Sequence, residues 1–170
     1  MTYPLSEKLA LYEKIQDELF KKMSDERIKE ALDKLTLEDL EPVVFDLLTD
    51  HRLSLLEYLY KKHVSFSHTS PRGGNALHVA SASRGNLEIV KFLIEKKLFS
   101  DINVKTRERE TPFLLAIMYE HEDIVEYFLK HFKPDLGIVT DSGDTAFTLA
   151  KKSGNKKILA MLEQYASSKE

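Results

Sequence analysis

The carboxylates Glu108 and Glu110, two residues apart, are of a type that performs acid–base chemistry in enzymes. His63 and His68 are five residues apart and could contribute to a zinc site. No third ligand lies near this histidine pair in the sequence, so we do not expect zinc there. We interpret the carboxylate pair as contact or solvation residues on a turn.

Two glycine-containing turns could hold ions. Residues 72–75 (RGGN) precede a predicted helix start, where backbone amides can hold an anion. Residues 141–144 (DSGD) have the look of a calcium loop but lack its spaced ligands and its distal glutamate. Both stretches are explained more simply as the turns of a repeat, so we predict neither a phosphate site nor a metal site.

Catalytic signatures are missing from the sequence. It contains no GxxxxGK(S/T), GxSxG or HExxH motif. It contains no cysteine, which excludes disulfides, thiolate zinc sites and cysteine nucleophiles. We therefore expect a chain that is not an enzyme, with no catalytic residues, no metal and no cofactor.

Composition indicates an ordinary folded chain. Hydrophobic residues make up 42% and charged residues 31% of the 170 positions, and the net charge of −3 gives no basic field for nucleic acid. The first 20 residues have no uninterrupted apolar centre of the kind a secretory signal needs. The longest apolar stretch, residues 113–119, is too short to cross a bilayer. We expect a cytoplasmic protein that does not insert into membranes.

The elements that position these residues repeat along the chain. Residues 73–94, 109–129 and 143–163 share one layout, in which a capping residue opens a short helix and a break leads into a second helix. The predicted caps are Asn75, Thr111 and Thr145, and Pro112 suits the first helical position. Apolar residues spaced by one, three and four mark the second helices. A period near 34 with two helices predicts stacked helical hairpins.

This layout resembles the ankyrin repeat, whose pattern is roughly GxTPLHxAAxxGHxxVVxLL. The first copy matches through GGNALHVA and GNLEIV, the second through TPF, and the third through GDT and GN. The resemblance covers about 70–165 and implies an all-α solenoid. Arg109 stands where the family's turn glycine adopts a positive φ, and Leu114 and Thr148 replace its usual histidine.

The ends of the array show different patterns. We predict an N-terminal helical cap over 1–41, with helices near 7–23 and 25–35 and a capped helix start at Thr36. An array over 42–170 follows, with a degenerate repeat at 42–69 and repeats at 70–105, 106–139 and 140–170. The N-terminal helices either cover the first repeat or bind a partner, and we favour the cover.

The resemblance also implies a binding surface on the concave side, formed by turn tips and first helices. Carried over by position, the partner-binding residues would be Arg72, Arg84, Arg107, Glu108, Glu110, Met118, Tyr119 and Asp144. Tyr, Met and Arg are favoured in interface cores. Packing of Met118 beneath residues 82–84 is the alternative for that side chain.

The predicted function is a non-catalytic protein–protein interaction module. It would act as an adaptor, a targeting subunit or a secreted-effector-like binder, because its irregular repeats are similar to ankyrin proteins that intracellular bacteria deliver into host cells. The expected partner is another protein, and the chain by itself is expected to be a monomer. The alternative is an inhibitor or antitoxin-like protein that blocks an enzyme with Glu108, Glu110 and Asp144.

Overall fold

A computed structural model describes residues 23–84, 86–99 and 101–168, and all regular elements within these ranges are α-helices. The prediction of an all-α fold is confirmed. Contacts divide the chain into two compact units, Met1–His68 and Thr69–Glu170. Apart from Met23, the helix predicted over 7–23 lies outside the described residues.

The described part of the first unit contains four helices: α1 (Asp25–Leu32), α2 (Leu37–Leu40), α3 (Val43–Thr49) and α4 (Leu53–Lys61). The predicted capping box at α2 is confirmed, because the Thr36 hydroxyl accepts the Asp39 amide N–H while the Asp39 carboxylate accepts the Thr36 amide N–H.

Apolar faces of α1, α3 and α4 form the core of the first unit. Arg52 joins two of its helices, because its guanidinium contacts the Asp25 carboxylate at 2.6 Å and only 20% of its side chain is exposed. The largest fully buried apolar side chains in this unit are Ile28, Leu32, Leu40, Leu47, Leu48, Leu55, Leu56 and Leu59.

The described part of the second unit contains three helical pairs. The short first helices and the longer second helices alternate: α5 (Ala76–Ala82), α6 (Leu87–Glu95), α7 (Pro112–Met118), α8 (Glu122–His131), α9 (Ala146–Ser153) and α10 (Lys156–Ser167).

All three first helices begin at the predicted residues. Asn75 Oδ1 accepts the amide N–H groups of the next turn, and the hydroxyls of Thr111 and Thr145 do the same at α7 and α9. These caps satisfy amides that have no partner within the helix. The sequence therefore fixes where each pair starts by local chemistry alone.

The pairs stack in register. Helix α7 packs against both α5 and α9, while α8 packs against both α6 and α10. The aligned positions Ile89, Ile124 and Ile158 are all buried, as are Leu93, Phe128 and Leu162. Each hairpin thus covers an apolar face that its neighbour could not bury alone, as the period predicts.

Candidate functional site

Three turns with one hydrogen-bonding pattern precede the first helices, at residues 70–74, 106–110 and 140–144. In each turn the first residue's amide donates to the fifth residue's carbonyl, at 2.8, 2.8 and 2.9 Å. The first residue's hydroxyl also accepts the fifth residue's amide N–H, at 3.0, 3.1 and 3.1 Å. The local sequence therefore builds the same tip three times, with Ser70, Thr106 and Thr140 as the hydroxyl residues.

Backbone hydrogen bonds connect these turns to one another. The Arg107 amide donates to the Arg72 carbonyl at 2.8 Å, and the Asp141 amide donates to the Glu108 carbonyl at 3.0 Å. Residues 70–74, 106–110 and 140–144 therefore form a continuous row, which we call the tip row. These hydrogen bonds fix the backbone of the tip row, so its side chains start from fixed positions relative to one another.

The fourth residue of every tip adopts a left-handed conformation, with φ of 78° at Gly73, 62° at Arg109 and 79° at Gly143. Arg109 thus adopts the backbone conformation of the glycine whose place it takes. At Gly73 a side chain would also meet Arg107, since a Cβ there would lie 3.3 Å from the Arg107 Cγ. The stem of Arg107 therefore lies against the first tip.

Charged side chains are concentrated on the first two tips. Arg72, Arg107 and Glu108 are exposed, and the Arg72 Nη1 lies 3.6 Å from the Glu108 Oε2. The two side chains of that pair are 73% and 47% exposed, so solvent screens it strongly. Glu110 is half-buried, and burial together with nearby Glu108 raises the pKa of its carboxyl group.

Asp144 was expected to be exposed as a partner-binding residue, but it is buried. Its carboxylate is bound within the chain. Only 8% of the residue is accessible. The Lys152 ammonium donates to it at 2.6 Å and the Thr148 hydroxyl at 3.1 Å, and the hydrogen bond from Lys152 lowers its pKa. Thr148 and Lys152 are four residues apart on one face of α9, and Asp144 lies four residues before Thr148, just ahead of that helix. That spacing was the signal that could have revealed the pair.

Arg84 and Tyr119 lie away from the tips, where the first helices end. Helix α5 separates the first tip from Arg84, and α7 separates the second tip from Tyr119, each by seven residues or about 10 Å of helical rise. Met118 is the half-buried last residue of α7. The structure therefore divides the predicted site residues between the two ends of the first helices.

A polar groove of about 520 Å³ lies at this second end. Its lining residues include Arg84, Glu120, His121, Glu122, Asp123, Glu126 and Lys157. Tyr119 borders the adjoining pocket and is 53% exposed, with its ring parallel to that of His121 at 6.3 Å. We call the residues of these two pockets the break groove.

Repeat-to-repeat contacts fix the break groove. The His121 Nε2 lies 3.0 Å from the Ala82 carbonyl oxygen. Glu122 accepts hydrogen bonds from Lys157 at 2.7 Å and Asn155 at 3.0 Å. The bond from Lys157 is the main cause that lowers the pKa of Glu122. Sequence reasoning missed this pair because Glu122 and Lys157 are in different repeats.

His78 has a structural role between two repeats. It is 2% exposed, its Nδ1 faces the Asn75 amide at 3.2 Å, and its Nε2 lies 3.1 Å from the Val104 carbonyl and 3.3 Å from the Glu110 carbonyl. Burial lowers the pKa of its imidazole. His78 therefore connects the backbone of its own turn to the backbone around the second tip.

Within the described residues, no three side chains of the His, Cys, Asp or Glu types are grouped so that they could hold a metal ion. Likewise, none of the described helices combines the length and the apolar character needed to cross a bilayer.

These stacked helix pairs, capped at the same residue and joined by hydrogen-bonded turn tips, define a helical-repeat protein. A family model described as "Ankyrin repeats (3 copies)" matches residues 47–136 and 96–169. A Rickettsia bellii (strain RML369-C) protein named as an ankyrin repeat protein is 39% identical over 90 residues, which are 49% of this chain and 75% of the relative. The chain belongs to the ankyrin-repeat family, whose members are typically non-catalytic protein–protein interaction modules.

Proposed function

We propose that this chain is a non-catalytic adaptor or targeting subunit that binds another protein through its tip row. The observation that carries the proposal is the hydrogen-bonded row itself, which holds Arg72, Arg107 and Glu108 exposed in a fixed order. A rigid surface loses little conformational entropy on binding, so more of its contact energy appears as affinity. Arginine is also enriched among the residues that dominate binding energy.

The break groove provides a flanking contact in this proposal. Tyr119 is the most exposed of the large apolar and aromatic residues in the described ranges. Arg84 shares a pocket with Tyr119, and Met118 precedes it in α7. Tyrosine supplies a large contact area with few rotatable bonds, which favours it at interfaces. We propose that a partner extending from the tips along the first helices reaches these three residues.

Glu110 and Asp144 support the surface in this proposal rather than dominate it. Glu110 is half-buried beside Thr106, and Asp144 is bound to Lys152. The inhibitory alternative needed both carboxylates, with Glu108, to face a basic groove on an enzyme. Because two of the three are engaged within the chain, the geometry favours recruitment over inhibition.

The proposal includes a cytoplasmic site of action for a monomeric chain. A net charge of −3 argues against nucleic acid as the partner. Delivery into a host cell, as a secreted effector, is the more specific form of the proposal. Its support is the resemblance of the irregular repeats to ankyrin proteins that intracellular bacteria deliver into host cells.

Affinity capture with the full chain tests the proposal. The native chain, the Arg72→Glu/Arg107→Glu variant, the Tyr119→Ala variant and a control are immobilised and exposed to lysate of the cells that express the protein. Lys133→Glu/Lys156→Glu is the matched control, since it reverses two exposed charges away from the tips. We expect the native chain and the control to retain one protein. Tyr119→Ala should retain less of it, and the tip variant should not retain it.

Retention of the same proteins by every variant would contradict the tip row as the binding surface. An activity assay of the purified complex then separates the two kinds of function. An adaptor leaves the activity of its partner unchanged, whereas an inhibitor abolishes it.

A further inference from the structure

The three tips share one backbone geometry, but the residue type at their fourth position differs. All three have the same pair of backbone hydrogen bonds, and the fourth residue is left-handed in each. Glycine occupies this position in the first and third tips, as Gly73 and Gly143, but arginine occupies it in the second. Because the chain contains its own reference copies, the arginine is not needed to form the turn.

An arginine here destabilises the turn relative to glycine. The Cβ of an L-residue crowds the backbone when φ is positive, and glycine has no such contact. Arg109 therefore carries a side chain at a position whose backbone conformation favours glycine. Residues in such conformations are concentrated at functional sites.

Contacts within the chain do not explain why the side chain is there. Arg109 is exposed, and no ion pair joins it to a carboxylate of the described residues. Its neighbour Glu108 faces Arg72 instead. Glu110 interacts with Thr106 through its side chain. The guanidinium of Arg109 is therefore available to another molecule.

We propose that Arg109 is a partner-binding residue that, with Arg72 and Arg107, recognises carboxylate side chains on an acidic segment of another protein. This inference rests on the proposed function and names the chemistry of its partner. Three arginines but only one carboxylate, that of Glu108, are exposed on the first two tips. A guanidinium binds a carboxylate through two parallel hydrogen bonds, which gives geometric specificity as well as attraction.

The third tip determines how the segment lies. Asp141 is exposed there, in the position of Arg107 one repeat earlier. Like charges repel across an interface, so the carboxylates of the segment lie over the first two tips and away from Asp141.

Stability and binding should change in opposite directions in Arg109→Gly. Removing the side chain relieves the backbone, so the melting temperature of the full chain should rise by about 3 °C. Lys97→Gly is the matched control, because Lys97 is also exposed and has a φ of 53° at the end of α6. That control should raise the melting temperature similarly without affecting binding.

A random dodecapeptide library displayed on phage serves as the binding probe. It is selected on the immobilised native chain, and enriched peptides are synthesised and measured by fluorescence anisotropy. We expect Asp- and Glu-rich sequences whose affinity falls about tenfold with Arg109→Gly and by less with Arg109→Lys. Binding should also weaken in high salt, which screens exposed charges.

The inference is overturned if Arg109→Gly does not raise the melting temperature, if selection enriches no acidic peptide, or if such peptides bind Arg109→Gly as tightly as the native chain. If one of these results occurs and the Arg72→Glu/Arg107→Glu variant still loses the captured protein, the proposed function stands and only this inference is rejected. Capture that is unaffected by any tip change would instead remove the proposed function.

Discussion

Replacing His78 with leucine tests the contact between the first repeat and the turn of the second. The Asn75 amide nitrogen lies 3.2 Å from the His78 Nδ1, and the His78 Nε2 lies 3.1 Å from the Val104 carbonyl oxygen, so the ring forms hydrogen bonds to backbone on both sides. Leucine fits the location sterically, because Leu114 occupies the equivalent slot in the next repeat and is fully buried.

The expected loss follows from these two hydrogen bonds. Each contributes about 1 kcal/mol, and leaving a buried amide or carbonyl without a partner costs about 1 to 3 kcal/mol more. The greater hydrophobicity of leucine offsets about 1 kcal/mol. We therefore expect His78→Leu to lower the free energy of unfolding by about 2 to 4 kcal/mol.

Urea denaturation followed by circular dichroism at neutral pH measures this loss. His131→Leu is the matched control, since His131 is exposed on α8 and its replacement should change stability by less than about 0.5 kcal/mol. If the two variants are equally stable, His78 does not connect the repeats as described.

Three further predictions concern stability and use the same denaturation assay. Burial lowers the pKa of His78, so the unfolded state binds more protons and the free energy of unfolding should fall as pH drops below the ordinary histidine pKa of 6.5; a flat profile there, or an equal slope in His78→Leu, would contradict this. Phe128→Ala empties a fully buried position and should lower the free energy of unfolding by about 4 kcal/mol; a loss below about 1 kcal/mol would mean that α8 is not packed as described. Thr111→Val removes the hydroxyl that accepts the Leu114 amide at 3.2 Å and should cost about 1 kcal/mol, whereas Thr69→Val, at an exposed threonine, should cost almost nothing.

Local chemistry made the helix starts and the turn conformation predictable. A cap depends on a short polar side chain and the amides two or three residues later, so Asn75, Thr111 and Thr145 could be identified from sequence. The shared turn pattern places Arg109 at the position of Gly73 and Gly143, and all three residues are left-handed.

Contacts between repeats were harder to predict. Glu122 and Lys157 are in different hairpins, and only the stacking brings their side chains to 2.7 Å. Side-chain length and the exact stacking of the hairpins decide this pair, and neither is encoded in the repeat pattern. The Asp144–Lys152 pair differs, because both residues belong to the third repeat and their spacing along the chain could have indicated it.

The division of the candidate site also required coordinates. Arg84 and Tyr119 were grouped with the tips because they belong to the same repeats. The seven residues of each intervening helix place them at the opposite end, in the break groove. Sequence alignment gives the order of positions but not the distance between two surfaces.

Hydrogen–deuterium exchange of the full chain, free and bound to the captured protein, tests the tip row most directly. We predict that binding slows exchange in residues 70–74 and 106–110 and leaves the second helices α6, α8 and α10 unchanged. Protection confined to those second helices, with unchanged exchange at the tips, would contradict the tip row as the surface through which this protein binds its partner.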